Sequence, residues 1–124
     1  MVKLTRLLHA SLLVADLGRA RAFYENVLGL APNPDRPALG FDGVWYDIGA
    51  CQLHLLCLPN PDPVDGRPAH GGRDRHTALA VQGWEELKAR LNAAGIAYTL
   101  SRSGRRALFV RDPDGNTLEL VEAI

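Results

Sequence analysis

At 124 residues and 47% hydrophobic content, the chain is one domain's worth of sequence with enough apolar material for a compact core. Its 14 basic and 14 acidic residues cancel, so no broad field draws nucleic acid or an anionic membrane surface. No segment approaches the roughly 20 apolar residues of a bilayer span, and no apolar N-terminal run ends in a cleavage site, so a soluble cytoplasmic domain is expected.

Taken in order, Leu7 to Val14 is apolar and rich in strand formers, and it stops at Ala15-Asp16-Leu17-Gly18, where Asp16 can cap a helix. That helix is predicted from about Leu17 to Leu28. Ala20, Phe23, Tyr24, Val27 and Leu28 fall on one stripe, Arg19, Arg21, Glu25 and Asn26 face away, and Gly29 ends it. Pro32, Pro34 and Pro37 then break the chain, after which Val44 to Ile48 and Gln52 to Leu58 read as a hairpin around Gly49-Ala50-Cys51. The stretch Pro59 to Arg75 has no periodic apolar signal and reads as a linker that could double as a lid. A strand over His76 to Val81 follows, then a helix from Trp84 to Ala94 ended by Gly95, and strands over Tyr98 to Ser101, Ala107 to Arg111 and Thr117 to Val121. The expected organisation is a single α+β domain over 1–124 made of two βαβββ modules, about 4–58 and 76–124, joined by the linker 59–75.

The halves repeat each other. His9-Ala10-Ser11-Leu12-Leu13-Val14 returns as His76-Thr77-Ala78-Leu79-Ala80-Val81, and each half later carries a matched strand centre, Leu53-His54-Leu55 and Leu118-Glu119-Leu120. Duplicated units thus place His9, His54, His76 and Glu119 at equivalent points, a ligand set suited to one divalent metal ion. Side chains at i and i+2 share a strand face, so His9 goes with Ser11, His54 with Gln52, His76 with Ala78 and Glu119 with Thr117. The opposite faces carry Leu8, Ala10, Leu12, Val14, Leu53, Leu55, Leu79, Val81, Leu118 and Leu120, which suit packing under the helices. The four candidate ligands are therefore expected on the side away from the helices, converging if that side curls into a trough.

Other features are assigned more simply. Cys51 and Cys57 flank one strand and are too far apart along it to bridge; Cys57 reads as a small buried hydrophobe and Cys51 as a turn residue, a reactive thiol being the alternative for either. His70-Gly71-Gly72-Arg73 follows no strand and opens no helix, which argues against a phosphate loop. Asp112-Pro113-Asp114-Gly115-Asn116 lacks the spacing of a calcium loop and is taken as a tight turn that sets the register of Glu119. Of the neighbours Trp45 and Tyr46, one should enter the core and the other border the groove, while Phe23, Tyr24 and Trp84 serve helix packing. Arg73 and Arg75, or Arg102, Arg105 and Arg106, are candidates to hold an acidic group of a substrate, the alternative being solvated loop charges; Arg102 and Arg105 are favoured.

The stretches Leu8-His9-Ala10 through Val14-Ala15-Asp16-Leu17, Phe23-Tyr24-Glu25-Asn26-Val27-Leu28-Gly29-Leu30, and Asp112 through Leu120 resemble the vicinal oxygen chelate superfamily, which includes glyoxalase I, bleomycin- and fosfomycin-resistance proteins and extradiol dioxygenases. The resemblance covers essentially the whole chain. It implies two βαβββ modules forming an open, U-shaped barrel around a divalent metal (Ni, Zn, Mn or Fe). His9, His76 and Glu119 match the family's two-His, one-carboxylate ligands, and His54 stands where glyoxalase I usually has Glu. It also implies a homodimer in which His9 and His54 of one chain face His76 and Glu119 of the other.

Such a metal grips adjacent oxygens of a small substrate as a Lewis acid. For an isomerase resembling glyoxalase I, a lactoylglutathione lyase, the substrate is the adduct of a 2-oxoaldehyde with a thiol such as glutathione, and Glu119 is the carboxylate available to take its proton. His at position 54 removes one anionic group, which leaves open a ring-cleaving dioxygenase with His54 as acid or base, an antibiotic-modifying thiol transferase, and a metal-free bleomycin-resistance-like binder.

Overall fold

Alternating apolar and polar residues build two mixed sheets, described over residues 1–123 in a computed structural model. The first sheet contains β1 (His9–Leu13), β2 (Gly43–Ile48) and β3 (Cys51–Leu56) in the order β1-β3-β2, with β1 parallel and β2 antiparallel to β3. The second contains β4 (His76–Val81), β5 (Tyr98–Leu100), β6 (Ala107–Arg111) and β7 (Thr117–Glu122) in the order β4-β7-β6-β5, with β4 parallel and β6 antiparallel to β7. The modules repeat this connectivity, and neither sheet closes on itself among the described residues. The result is an open α+β architecture.

The second module is βαβββ as expected; the first falls short. Its missing strand is reduced to a single bridge between Pro32 and Tyr46, beside which the Asn33 amide donates to the Trp45 carbonyl at 2.7 Å. Prolines flank Asn33 on both sides, and the fixed φ of Pro32 and Pro34, which suits an edge and not a ladder interior, goes with a bridge rather than a full strand. Cys51 pairs with Ile48 inside the hairpin rather than lying in its turn. Strand β1 is also shorter than predicted, and Leu8, expected beneath the helices, is 57% exposed.

Helix α1 (Leu17–Arg21) starts where Asp16 accepts a hydrogen bond from the Arg19 amide, and it runs on as a π-helical segment, Ala22–Val27. The wider turn is closed by the Leu28 amide on the Phe23 carbonyl at 3.1 Å, and it lets the adjacent Phe23 and Tyr24 both enter the core. Glu25, expected to face away, instead accepts from Arg21 and from the buried Tyr46 hydroxyl at 2.8 Å. Helix α2 (Trp84–Ala93) buries Trp84, Leu87 and Leu91. These side chains meet Val14, Leu53, Leu55, Leu118 and Leu120 in one core spanning both modules, the helix-side faces predicted from the strand alternation.

Polar ties reinforce the join. The turn after β6 directs Asp112, Asp114 and Asn116 into the first module: Tyr24 donates to the Asp112 carboxylate at 2.7 Å, the Ala15 amide to Asp114 at 2.9 Å, and the Asn116 side-chain amide to the Leu13 carbonyl at 2.9 Å. Within the turn Gly115 takes φ 82°, and the Asp112 carboxylate accepts from the Asp114 and Asn116 amides, so the segment is the tight turn the sequence suggests. The linker is not featureless. It carries a single 3₁₀ turn, Gly71–Arg73, whose buried Gly71 lies against Phe109 and Thr117, where an added Cβ would come within 2.6 Å of Thr117.

Candidate functional site

Strand register decides which polar side chains meet. In the first sheet His9 stands opposite Gln52 and Ser11 opposite His54; in the second His76 stands opposite Thr117 and Ala78 opposite Glu119. The first-strand His is therefore diagonal to the central residue of its neighbour in both modules, on the face away from the helices. The duplication seen in the sequence survives as an equivalence of register.

Within one chain the four candidates form two pairs. The rings of His9 and His54 stack with centroids 4.2 Å apart, and Nε2 of His76 lies 3.4 Å from Oε1 of Glu119. No group of three or more His, Cys, Asp or Glu side chains stands ready to hold a metal ion among the described residues. The chain thus brings the four candidates together as two separate pairs, one per module.

An aromatic residue from the antiparallel neighbour flanks each pair. Trp45, opposite His54, stacks on it at 4.3 Å, and Phe109, opposite Glu119, meets the His76 ring edge-on at 5.1 Å. Trp45 thus borders the polar face while Tyr46 is fully buried, which resolves the choice between them. Burial, with the charges of His9 and Arg36, holds the His54 ring below the usual imidazole range, favouring its neutral form.

The second half-site is built around a buried carboxylate. Glu119 is 6% exposed, and its Oε2 accepts from Arg105 at 3.2 Å. Nδ1 of His76 faces the Asp74 carbonyl at 2.9 Å; a carbonyl only accepts, so this nitrogen carries the hydrogen and a neutral ring leaves Nε2 bare toward Glu119. A bare nitrogen and a carboxylate oxygen are both acceptors. A cation between them, whether a proton on the ring or a metal ion, satisfies both, and the pairing of an imidazole nitrogen with a carboxylate oxygen fits a divalent metal.

The predicted arginines divide. Arg105 reaches Glu119, Arg106 pairs with Glu122 at 3.2 Å, Arg75 pairs with Asp62 at 2.7 Å, and Arg102 lies exposed in the loop before β6. Residues not singled out from sequence support the site. Asp74 accepts from Arg111 at 2.8 Å and from Arg67 at 3.2 Å while its carbonyl orients His76, and His70 bonds Thr99 at 2.8 Å beside Phe109. Phe109 was findable as the hairpin partner of Glu119; Asp74, in a segment without periodicity, carried no signal.

A βαβββ module and a shortened copy of it, each with a pair of polar side chains on the sheet face away from the helices, define a recognisable class. The chain belongs to the Glyoxalase/Bleomycin resistance protein/Dioxygenase superfamily, whose model matches residues 6–120. Among curated relatives it is 34% identical to the lactoylglutathione lyase of Salmonella typhimurium, over 95% of this chain and 93% of that one. It is 30% identical to Glyoxylase I 4 of Arabidopsis thaliana, over 94% of this chain and 70% of the relative. Among solved structures, the lactoylglutathione lyase of Agrobacterium tumefaciens superposes with a TM-score of 0.65 at 25% identity, covering 98% of this chain and 96% of that one. No helix among the described residues is long and apolar enough to cross a membrane.

Proposed function

We propose that the protein is a divalent-metal-dependent enzyme of the glyoxalase I type, isomerising the adduct of a 2-oxoaldehyde with a thiol such as glutathione. The observation that carries this reading is Nε2 of His76 3.4 Å from the buried Glu119 carboxylate, matched by His9 and His54 at the equivalent register. Kinship with lactoylglutathione lyases along nearly the whole chain supports the choice of substrate class.

His9, His54, His76 and Glu119 would hold the metal. When bound, it supplies a Lewis acid for two adjacent substrate oxygens. Glu119, buried opposite Phe109, is the carboxylate that would take a proton from carbon. Arg105 lies against the same carboxylate and is the side chain best placed to greet an acidic substrate group, with Arg102 further out on the same loop.

Since each chain offers two half-sites, the complete centre is assembled in a homodimer, His9 and His54 of one protomer facing His76 and Glu119 of its partner. Exposed Val2, Leu4, Leu7 and Leu8 run directly into the edge strand β1 and supply apolar surface for that contact. The test is metal analysis of anaerobically purified protein followed by assays with methylglyoxal plus glutathione and with catechols. Bound or activating metal with isomerase turnover is expected. Ring cleavage of catechol would instead make His54 an acid or base of a dioxygenase, and a protein indifferent to Ni, Mn, Fe and Zn would be a binder.

A further inference from the structure

The His54 side chain is fixed on three sides. Trp45 and His9, from the strands either side of β3, stack on its faces at 4.3 and 4.2 Å with interplanar angles of 7° and 15°. Turning the ring over sweeps it through both neighbours. Its Nε2 lies 2.9 Å from Oε1 of Gln52, the residue two places earlier on the same face.

The direction of that hydrogen bond follows from residues farther out. Gln52 donates through its side-chain amide nitrogen to Oδ1 of Asp47 at 2.9 Å, and the Asn33 side-chain amide donates to both Asp47 oxygens at 3.2 and 3.0 Å. An ionised carboxylate only accepts, so the Gln52 nitrogen must face Asp47 and its oxygen must face His54. A ring nitrogen facing a carbonyl oxygen must carry the hydrogen. The neutral ring then has its lone pair on Nδ1.

We propose that Gln52 and Asp47 are positioning residues that lock His54 as its Nε2–H tautomer, so that Nδ1 is the nitrogen His54 offers to the site. The two modules therefore present different atoms: His76 is bonded through Nδ1 and bares Nε2, whereas His54 is bonded through Nε2 and bares Nδ1. Because Nδ1 adjoins the ring carbon nearest the backbone, whatever His54 holds sits closer to β3 than an Nε2 contact would allow. The tautomer stands on the hydrogen bonds alone; its use toward a metal rests on the function proposed above.

The experiment is two-bond proton–nitrogen correlation on the metal-free, full-length protein labelled with 15N histidine, His54 being assigned by its loss in His54→Gln. Nε2 is expected to resonate as the protonated nitrogen and Nδ1 as the bare one. In Gln52→Leu the Nε2 proton should exchange with water too fast to be seen, and in Asp47→Lys, which replaces an acceptor with a donor, the Gln52 amide should turn over and the tautomer reverse. Backbone amide spectra verify that both variants are folded. An Nδ1–H ring in the unsubstituted protein, or an Nε2 proton that persists unchanged in both variants, overturns the proposal. Zinc(II) is then added: a shift at His54 Nδ1 is expected, and a shift at Nε2 instead overturns the positioning role while sparing metal binding. Zinc without effect on any histidine defeats the metal centre and leaves the tautomer to be judged on the metal-free spectra.

Discussion

Glu119 shows how one side chain can be legible in kind and illegible in company. Its strand and face follow from the alternation around Leu118 and Leu120, yet nothing in the sequence pairs it with Arg105 or turns Nε2 of His76 toward it. Replacing it with Gln keeps the shape and removes the charge. Glu119→Gln should lower turnover by about 10²–10⁴-fold, the usual worth of a positioned base, in a protein whose circular dichroism is unchanged. Activity retained in that variant would remove Glu119 from the chemistry. The same contrast holds at His54, where the departure from glyoxalase I and the face shared with Gln52 are legible but the onward hydrogen bond from Gln52 to Asp47 is not. That cross-strand contact depends on the β2–β3 register, which sequence alone leaves open by a residue.

At the scale of elements, periodic segments were read well and aperiodic ones poorly. Strands β4 and β6 match their predicted bounds, and both helices begin where expected, because each has a regular apolar pattern and an end signal. The linker had neither, and its working parts are polar contacts. Arg111, donating a hydrogen bond to Asp74, holds that carboxyl below the usual range, with Arg67 adding to the effect. A depressed carboxyl pKa stabilises the fold above the unfolded value of about 3.9, and this stability disappears as pH falls through the folded value. Asp74→Asn should therefore cost about 1–2 kcal/mol at pH 7 by urea denaturation, and less as the medium is acidified below pH ~4. Equal cost at both pH values would show that charge is not the cause. The turn of 112–116 offers a second test, since burial raises the Asp112 carboxyl pKa while Tyr24 and Asn116 oppose that rise. Tyr24→Phe leaves a buried carboxylate short of one donor, and a loss of about 1–3 kcal/mol is expected in the same assay.

Considered whole, the molecule has a single core across its two modules but divides its donors between two faces, and that division makes assembly testable by mixing chains. A chain carrying His9→Ala and His54→Ala retains only the His76 and Glu119 half-site; one carrying His76→Ala and Glu119→Ala retains only the other. Each alone should lack bound metal and turnover. If complete centres form between protomers, the mixed dimer contains one centre with all four side chains intact and a second with none. Denaturing the two variants together and refolding them should then restore turnover approaching one quarter of the unsubstituted level per protomer, since half the dimers are mixed and each of those has one of two centres. If instead each centre were drawn from a single chain, every centre in the mixture would lack one pair, and refolding together would restore nothing. Sedimentation of the unsubstituted protein provides the companion measurement, with a mass twice the 13.5 kDa of one chain expected. Restoration without dimerisation is not possible in this scheme, so the two readouts must agree.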